Sequence, residues 1–244
     1  MIVVTGMHRS GTSLAALLLR ELGADFGPES SMYAADDWNE HGYLERADVV
    51  DLNSRAITGF DRTTGRVHQV ASQVSYLARA MASRPSGLTS ELPAKATALG
   101  NELSATFVKD PRFCLTFPAW QHVTAIDGLV VALRHPSASI ASLQRRNRIP
   151  SALGHRFWRW HMAALLDHID DETLVLRQED LVGDGLEESI DRTRRWLAIR
   201  GIDGGGDPRS VVDRSLVHHE PSDEQLPAQT LHVWQRLSAR RGFG

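Results

Sequence analysis

The chain opens on an apolar, β-branched run, Ile2-Val3-Val4-Thr5, that stops at Gly6. A short, unbroken apolar run of this kind predicts a strand buried on both faces. From Thr12 the period changes: Leu14, Leu17, Leu18 and Leu22 fall on one face of a helix over 12–22, with Gly23 as its C-terminal stop. Residues 24–42 show no period and are rich in Gly, Pro, Ser and Asp, the composition of a long loop with work to do. Helices are predicted over 46–57 and, with breaks near Pro85-Ser86-Gly87 and at Pro93, over most of 67–103. Further strands are predicted at 106–109, 129–134 and 173–177. Helices follow at 136–147, where Pro136 suits the first turn, and at 151–169, which is rich in aromatics. Asp184 with Glu187 three residues on has the form of a capping box, ahead of a helix that shows Leu186, Ile190, Thr193 and Leu197 on one face and ends at Gly201. The tail over 222–240 also reads as helical. Strands alternating with helices predict an α/β fold, with a central parallel sheet covered by helices on both faces, in one domain over 1–244.

Composition narrows the picture. With 244 residues, 42% of them hydrophobic, the core needs no covalent staples. Cys114 is the one cysteine, so no internal disulfide forms, which fits a reducing, cytoplasmic setting. A net charge of −3 offers no footprint for nucleic acid or an anionic membrane, and the arginines at 145, 146, 148, 194 and 195 read as solvated helix faces. No stretch approaches the ~20 apolar residues of a membrane span, and the first residues lack the form of a signal peptide. His218-His219 have no third ligand at regular spacing and there is no HExxH, so no metal is expected.

The chemistry sits where the first strand meets the first helix. Gly6-Met7-His8-Arg9-Ser10-Gly11-Thr12-Ser13 nearly matches the P-loop pattern G-x-x-x-x-G-K-[ST]. Its glycines let consecutive N–H groups face one anion, and the helix N-terminus adds its positive end. Thr12 stands where a nucleotide triphosphatase has lysine. That argues against ATP or GTP chemistry and leaves Arg9 as the compensating cation. Arg134 ends a later strand, at the edge where parallel sheets collect ligands, and Ser142 follows eight residues on along the next helix. The two can converge on one phosphate, although R-x₇-S alone is a weak signal.

In combination these landmarks resemble the sulfotransferases that use 3′-phosphoadenosine-5′-phosphosulfate (PAPS), and the loop is similar to the G-M-H-R-S-G-T-S form of a bacterial branch. Asn39 to Glu45 resembles that branch's N-x-x-G-[aromatic]-x-E segment, Lys109-Asp110-Pro111-Arg112 its K-D-P-R segment, and Gln178-Glu179-Asp180-Leu181 its Y-E-D-L segment, with Gln178 in place of tyrosine. The match spans residues 1–181; beyond it, Arg241-Gly242 is a poor echo of the family's C-terminal R-K-G. The resemblance implies a P-loop-type sheet and transfer of a sulfuryl group from PAPS to a small-molecule acceptor, leaving adenosine 3′,5′-bisphosphate and using no metal. His8, Arg9, Ser10, Gly11, Thr12 and Ser13 would hold the 5′-phosphosulfate, and Arg134 with Ser142 the 3′-phosphate.

Such a displacement needs a cation near the bridging oxygen and a base near the incoming hydroxyl. Arg9 is the candidate cation. The histidine that animal cytosolic members use falls on Pro111 here, whereas other branches use a glutamate downstream of the first helix. Glu45 and Glu29 both fit; Glu45 is favoured, with His41 and Asp110 next. His41, Lys109 and Arg112 are candidates for the acceptor site, and Lys109 and Arg112 read equally well as partners of nearby carboxylates. His155, Phe157, Trp158, Trp160 and His161 read as core first and as an acceptor platform second. Two other classes stay open: a small-molecule P-loop kinase, with Asp110 mimicking its acidic strand end, and a non-catalytic nucleotide-binding module. The identity of the acceptor and the oligomeric state are not readable.

Overall fold

The computed structural model describes residues 1–33, 44–62, 65–81, 94–212, 221, 226–240 and 242–244. Four strands, β1 (Ile2–Thr5), β2 (Phe107–Lys109), β3 (Gly128–Leu133) and β4 (Leu174–Arg177), form a parallel sheet in the order β2-β1-β3-β4. Val3 pairs with Val108 on one side and Leu129 on the other, and Val131 pairs with Val175. Alternate strand residues point to opposite faces. Val3, Val108, Val131 and Val175 belong to one core cluster, and Ile2, Val4, Val130, Ala132, Leu174 and Leu176 to another. Both faces of β1 are therefore buried, which explains why its sequence is apolar without alternation.

Helices α1 (Thr12–Glu21) and α9 (Leu186–Ala198) cover the second of these faces through Leu18, Leu19, Ile190 and Trp196. The first is covered by α2 (Ala47–Thr58), α5 (Phe113–Gln121), α6 (Pro136–Asn147), α7 (Ser151–Leu166) and α10 (Ala228–Ala239). Helices α3 (Gly65–Met81) and α4 (Ala94–Glu102) join the same cluster through Ala80, Ala96 and Leu99, and residues 82–93 between them are outside the described set; α8 (Gln178–Val182) is a single short turn after β4. The expected α/β architecture, with a parallel sheet between two helical layers, is present.

Three local expectations need correcting. The helix after Asp184 begins at Leu186 with Gly185 in the capping position, which has no side chain to accept a cap bond; Asp184 lies one residue too early, and Glu187 pairs with Arg209 instead. The helix expected to reach 169 stops at Leu166. Helix α5 follows β2 directly and has no counterpart among the predicted elements. Gly23, at φ 97°, does close α1: its N–H donates to Arg20 O, and that of Ala24 to Leu19 O.

Candidate active site

Because all four strands run parallel, their C-terminal ends meet at one edge. The loop of residues 6–11 leaves β1 there, Asp110 to Arg112 leave β2, Arg134 leaves β3 and Gln178 leaves β4. The loop lies tight against the sheet. A Cβ on Gly6 (φ 152°) would sit 2.3 Å from the Ala132 carbonyl oxygen, which already accepts the Ser10 hydroxyl at 3.0 Å. Gly11 (φ 87°) begins α1, and the Gln178 side chain lies against it; a Cβ there would be 2.9 Å from Gln178 Oε1. That oxygen is buried and has no hydrogen-bond partner among the described residues. Between the glycines, Arg9 holds φ 71°, a left-handed backbone that a non-glycine residue keeps only when its surroundings fix it.

Arg9 is fixed from two sides. Its Nε donates to Ser142 Oγ at 3.0 Å, and Arg134 Nη1 donates to the Arg9 carbonyl at 3.4 Å. Three of the residues expected to hold the nucleotide's anions thus come together from the loop, the end of β3 and α6. Burial lowers the pKa of Arg134; Glu179 opposes this and Arg9 adds to it. An incoming phosphate would relieve that cost. Glu179 also accepts the His135 N–H at 2.8 Å, which ties the start of α8 to the start of α6.

A second group centres on buried charges. Lys109 is 1% exposed and donates to Glu45 Oε1 at 2.8 Å and to Ser13 Oγ at 3.4 Å. Arg112 lies 2.7 Å from Asp110 Oδ1 and 3.9 Å from Glu45 Oε2. Asn53 Nδ2 donates to Asp110 Oδ2 at 2.9 Å, while Asn53 Oδ1 accepts from Thr116 and Trp120. Burial raises the pKa of Asp110 despite the opposing pull of Arg112. Charges this deep persist only when paired, and here each has a partner. Lys109 and Arg112 thus pair with carboxylates, one of the two roles expected of them, and Lys109 links Glu45 to the first turn of α1. Glu29 is exposed on a 3₁₀ turn, Glu29–Ser31. His41, Asn39 to Tyr43 and His218-His219 lie outside the described residues.

A cavity of ≈ 440 Å³ opens beside the loop, walled by Met7, His8, Arg9, Tyr76, Leu77 and Phe157 among others. Tyr76 Oη bonds His161 Nε2. His161 Nδ1 lies 2.8 Å from the Phe157 carbonyl, so Nδ1 carries the hydrogen and Nε2 accepts from the phenol. Burial pushes the His161 pKa down to about 4 and also takes that of His8 well below the usual value, with Arg112, His161, Arg62 and Arg146 adding to the drop. The His8 ring stands edge-on to His161 at 5.7 Å and to Tyr76 at 6.2 Å. On the aromatic helix Trp158 is core, as expected, while Phe157 belongs to the core and also lines the cavity.

Arg62 and Tyr76 belong to no motif in the sequence, and Arg146, expected on a solvated helix face, lines the cavity. Its position four residues after Ser142 places it on the same face of α6, a spacing that was legible. Among the described residues, no group of three His, Cys, Asp or Glu side chains is arranged to hold a metal, and no helix is long and apolar enough to cross a membrane.

Comparison of the sequence with protein-family models and with curated proteins gives no match. Among solved structures, the chain is similar to the sulfotransferase domain from the Synechococcus PCC 7002 olefin synthase, with a TM-score of 0.56 and 17% sequence identity. The likeness covers 97% of this chain and 94% of that one, so the chain has the fold of a sulfotransferase domain.

Proposed function

We propose that the protein transfers a sulfuryl group from PAPS to a hydroxyl of a small-molecule acceptor. The observation that carries this reading is the meeting of Arg9, Arg134 and Ser142 around a lysine-free phosphate loop in this fold. In the proposed step the acceptor oxygen forms a bond to sulfur as the bond from sulfur to the bridging oxygen breaks. The electron pair stays on the 5′-phosphate of adenosine 3′,5′-bisphosphate, and the hydroxyl proton passes to a base. Arg9 stabilises the charge that grows on the leaving oxygen, and the loop N–H groups with Ser10, Thr12 and Ser13 hold the phosphosulfate. Arg134 and Ser142 take the 3′-phosphate. Glu45, held beside the loop by Lys109, receives the proton. The kinase alternative is weakened because Asp110, its candidate magnesium ligand, is held by Arg112 and Asn53.

Calorimetry tests the reading. Adenosine 3′,5′-bisphosphate should bind without Mg²⁺ and more tightly than ATP. Arg134→Ala and Ser142→Ala should each weaken it by about tenfold or more while changing AMP affinity little, since losing a charge-assisted bond costs ~1.5–3 kcal/mol. ATP binding that is tighter and dependent on Mg²⁺ would favour the kinase. Equal losses for both nucleotides would remove Arg134 and Ser142 from the 3′-phosphate.

A further inference from the structure

The cavity beside the loop has a composition that selects its occupant. Met7, His8 and Arg9 form one wall, so whatever fills it lies against the phosphate loop. Its volume of ≈ 440 Å³ falls within the roughly 300–1,000 Å³ typical of small-molecule sites. Val74 and Leu77 from α3, Leu143 from α6 and Phe157 from α7 make the sides apolar. Two cations stand apart from the loop itself, Arg62 after α2 and Arg146 on α6, and no carboxylate is among the described lining residues.

Among the described residues, the charged side chains in the cavity wall, Arg9, Arg62 and Arg146, are cations. After burial, the groups that disfavour a proton on His8 are Arg112, His161, Arg62 and Arg146. Arg62 itself has a lowered pKa, caused first by Arg112 and then by burial; Tyr33 and Glu45 offset only part of this. A potential that repels a proton from one ring stabilises an anion in the same space. The apolar sides limit how much charge is tolerated. A dianionic phosphate loses more hydration on entering such a wall than a carboxylate does, and a carboxylate also matches the planar guanidinium fork.

We propose that this cavity is the acceptor site and that it takes a hydroxylated carboxylic acid. The apolar body of the acid lies against Val74, Leu77, Leu143 and Phe157, its carboxylate is held by Arg62 and Arg146, and its hydroxyl leaves the cavity past His8 and Arg9 to reach Glu45, which stands beside the loop and not in the cavity wall. The role as acceptor rests on the sulfotransferase reading; the ligand class rests on the cavity alone.

The test uses 3-(4-hydroxyphenyl)propionate and 3-hydroxydecanoate, each beside its methyl ester, titrated by calorimetry into the full chain saturated with adenosine 3′,5′-bisphosphate. At least one acid should bind about tenfold or more tightly than its ester, the difference expected of a charge-assisted contact. Arg62→Gln and Arg146→Gln should each erase most of that preference while leaving nucleotide affinity within about twofold, because neither is asked to hold a phosphate. With PAPS present, the same variants should raise KM for the acid more than they lower kcat. The proposal is overturned if neither acid binds, if ester and acid bind alike, or if the variants weaken the nucleotide as much as the acid, which would assign the cavity to the nucleotide. Acid binding without sulfation keeps the ligand class and overturns the sulfotransferase reading. Sulfation of a neutral phenol with no preference for acids does the reverse.

Discussion

Arg9 and Glu45 both stand beside the loop, and the chemistry asked of them differs. Arg9 acts on charge that exists only in the transition state. Arg9→Ala should therefore lower kcat by about 10²–10³, the range for an oxyanion-type donor, and weaken nucleotide binding less. Arg9→Lys, with the same left-handed backbone to adopt, should recover part of the rate. Glu45→Gln should cut kcat by roughly 10²–10⁴ with adenosine 3′,5′-bisphosphate affinity almost intact. It should also lower the melting temperature, since Lys109 would lose the carboxylate that balances its buried charge. Glu29→Gln, on an exposed turn, should change neither. Steady-state kinetics and thermal melts on the four variants decide this, and a dead Glu29→Gln beside an active Glu45→Gln would move the base to Glu29. Glu45 was legible in the sequence because it closes a recognisable segment. Its clamp by Lys109 was not, because the two residues are 64 positions apart and nothing in a period or motif joins them. Asn53 was hidden for the same reason: a polar residue inside a helix acquires meaning only when Asp110, Thr116 and Trp120 fold around it.

Elements with a helical period or a short apolar run bounded by a turn signal were readable, and those with neither were not. Strands β1 and β3 and helices α1, α2 and α6 lie within a residue or two of the expected bounds, since each is long or apolar enough to carry its own pattern. Helix α5 was missed because Phe113, Cys114, Leu115, Phe117 and Trp120 are buried all round it and Pro118 lies inside it, so no amphipathic stripe is left to read. The phosphate loop was legible from its glycines, and the structure ranks them. At Gly6 a methyl group would meet backbone, the Ala132 carbonyl, which cannot step aside; at Gly11 it would meet the end of the Gln178 side chain, which can. Gly6→Ala should thus destabilise the fold by roughly 2–4 kcal/mol and abolish nucleotide binding, whereas Gly11→Ala should cost only about 1 kcal/mol. Urea midpoints compare the two, and equal losses would mean that the loop is not stapled to β3 as described.

At the scale of the whole molecule, the buried histidines make stability depend on pH. His161 has an ordinary value near 6.5 when unfolded and about 4 when folded. Between those values the unfolded chain binds a proton that the folded chain refuses, so stability falls as pH drops through that window. For a full shift the loss between pH 7 and pH 5 is about 2 kcal/mol. His8 acts in the same direction, while Asp110, whose pKa is raised by burial, acts in the opposite one. His161→Gln keeps an acceptor for the Tyr76 hydroxyl and removes the titration. Its urea midpoint should be flatter from pH 7 to pH 5 than that of the parent, and an unchanged slope would assign the effect to another group. The architecture was legible because alternating strands and helices restrict the choice of folds, whereas the cavity was not, because its walls come from five separated stretches of chain. The position of β1 has a consequence for the ribosome. Residues 2–5 leave it long before their backbone partners, residues 107–109 and 128–131, and the loop behind them is stapled to Ala132 and Ser142. During translation this strand must therefore wait, apolar and without its neighbours, while later segments coil into helices around it. The anion site comes into being only once Arg134 and Ser142 have followed Arg9 out of the tunnel.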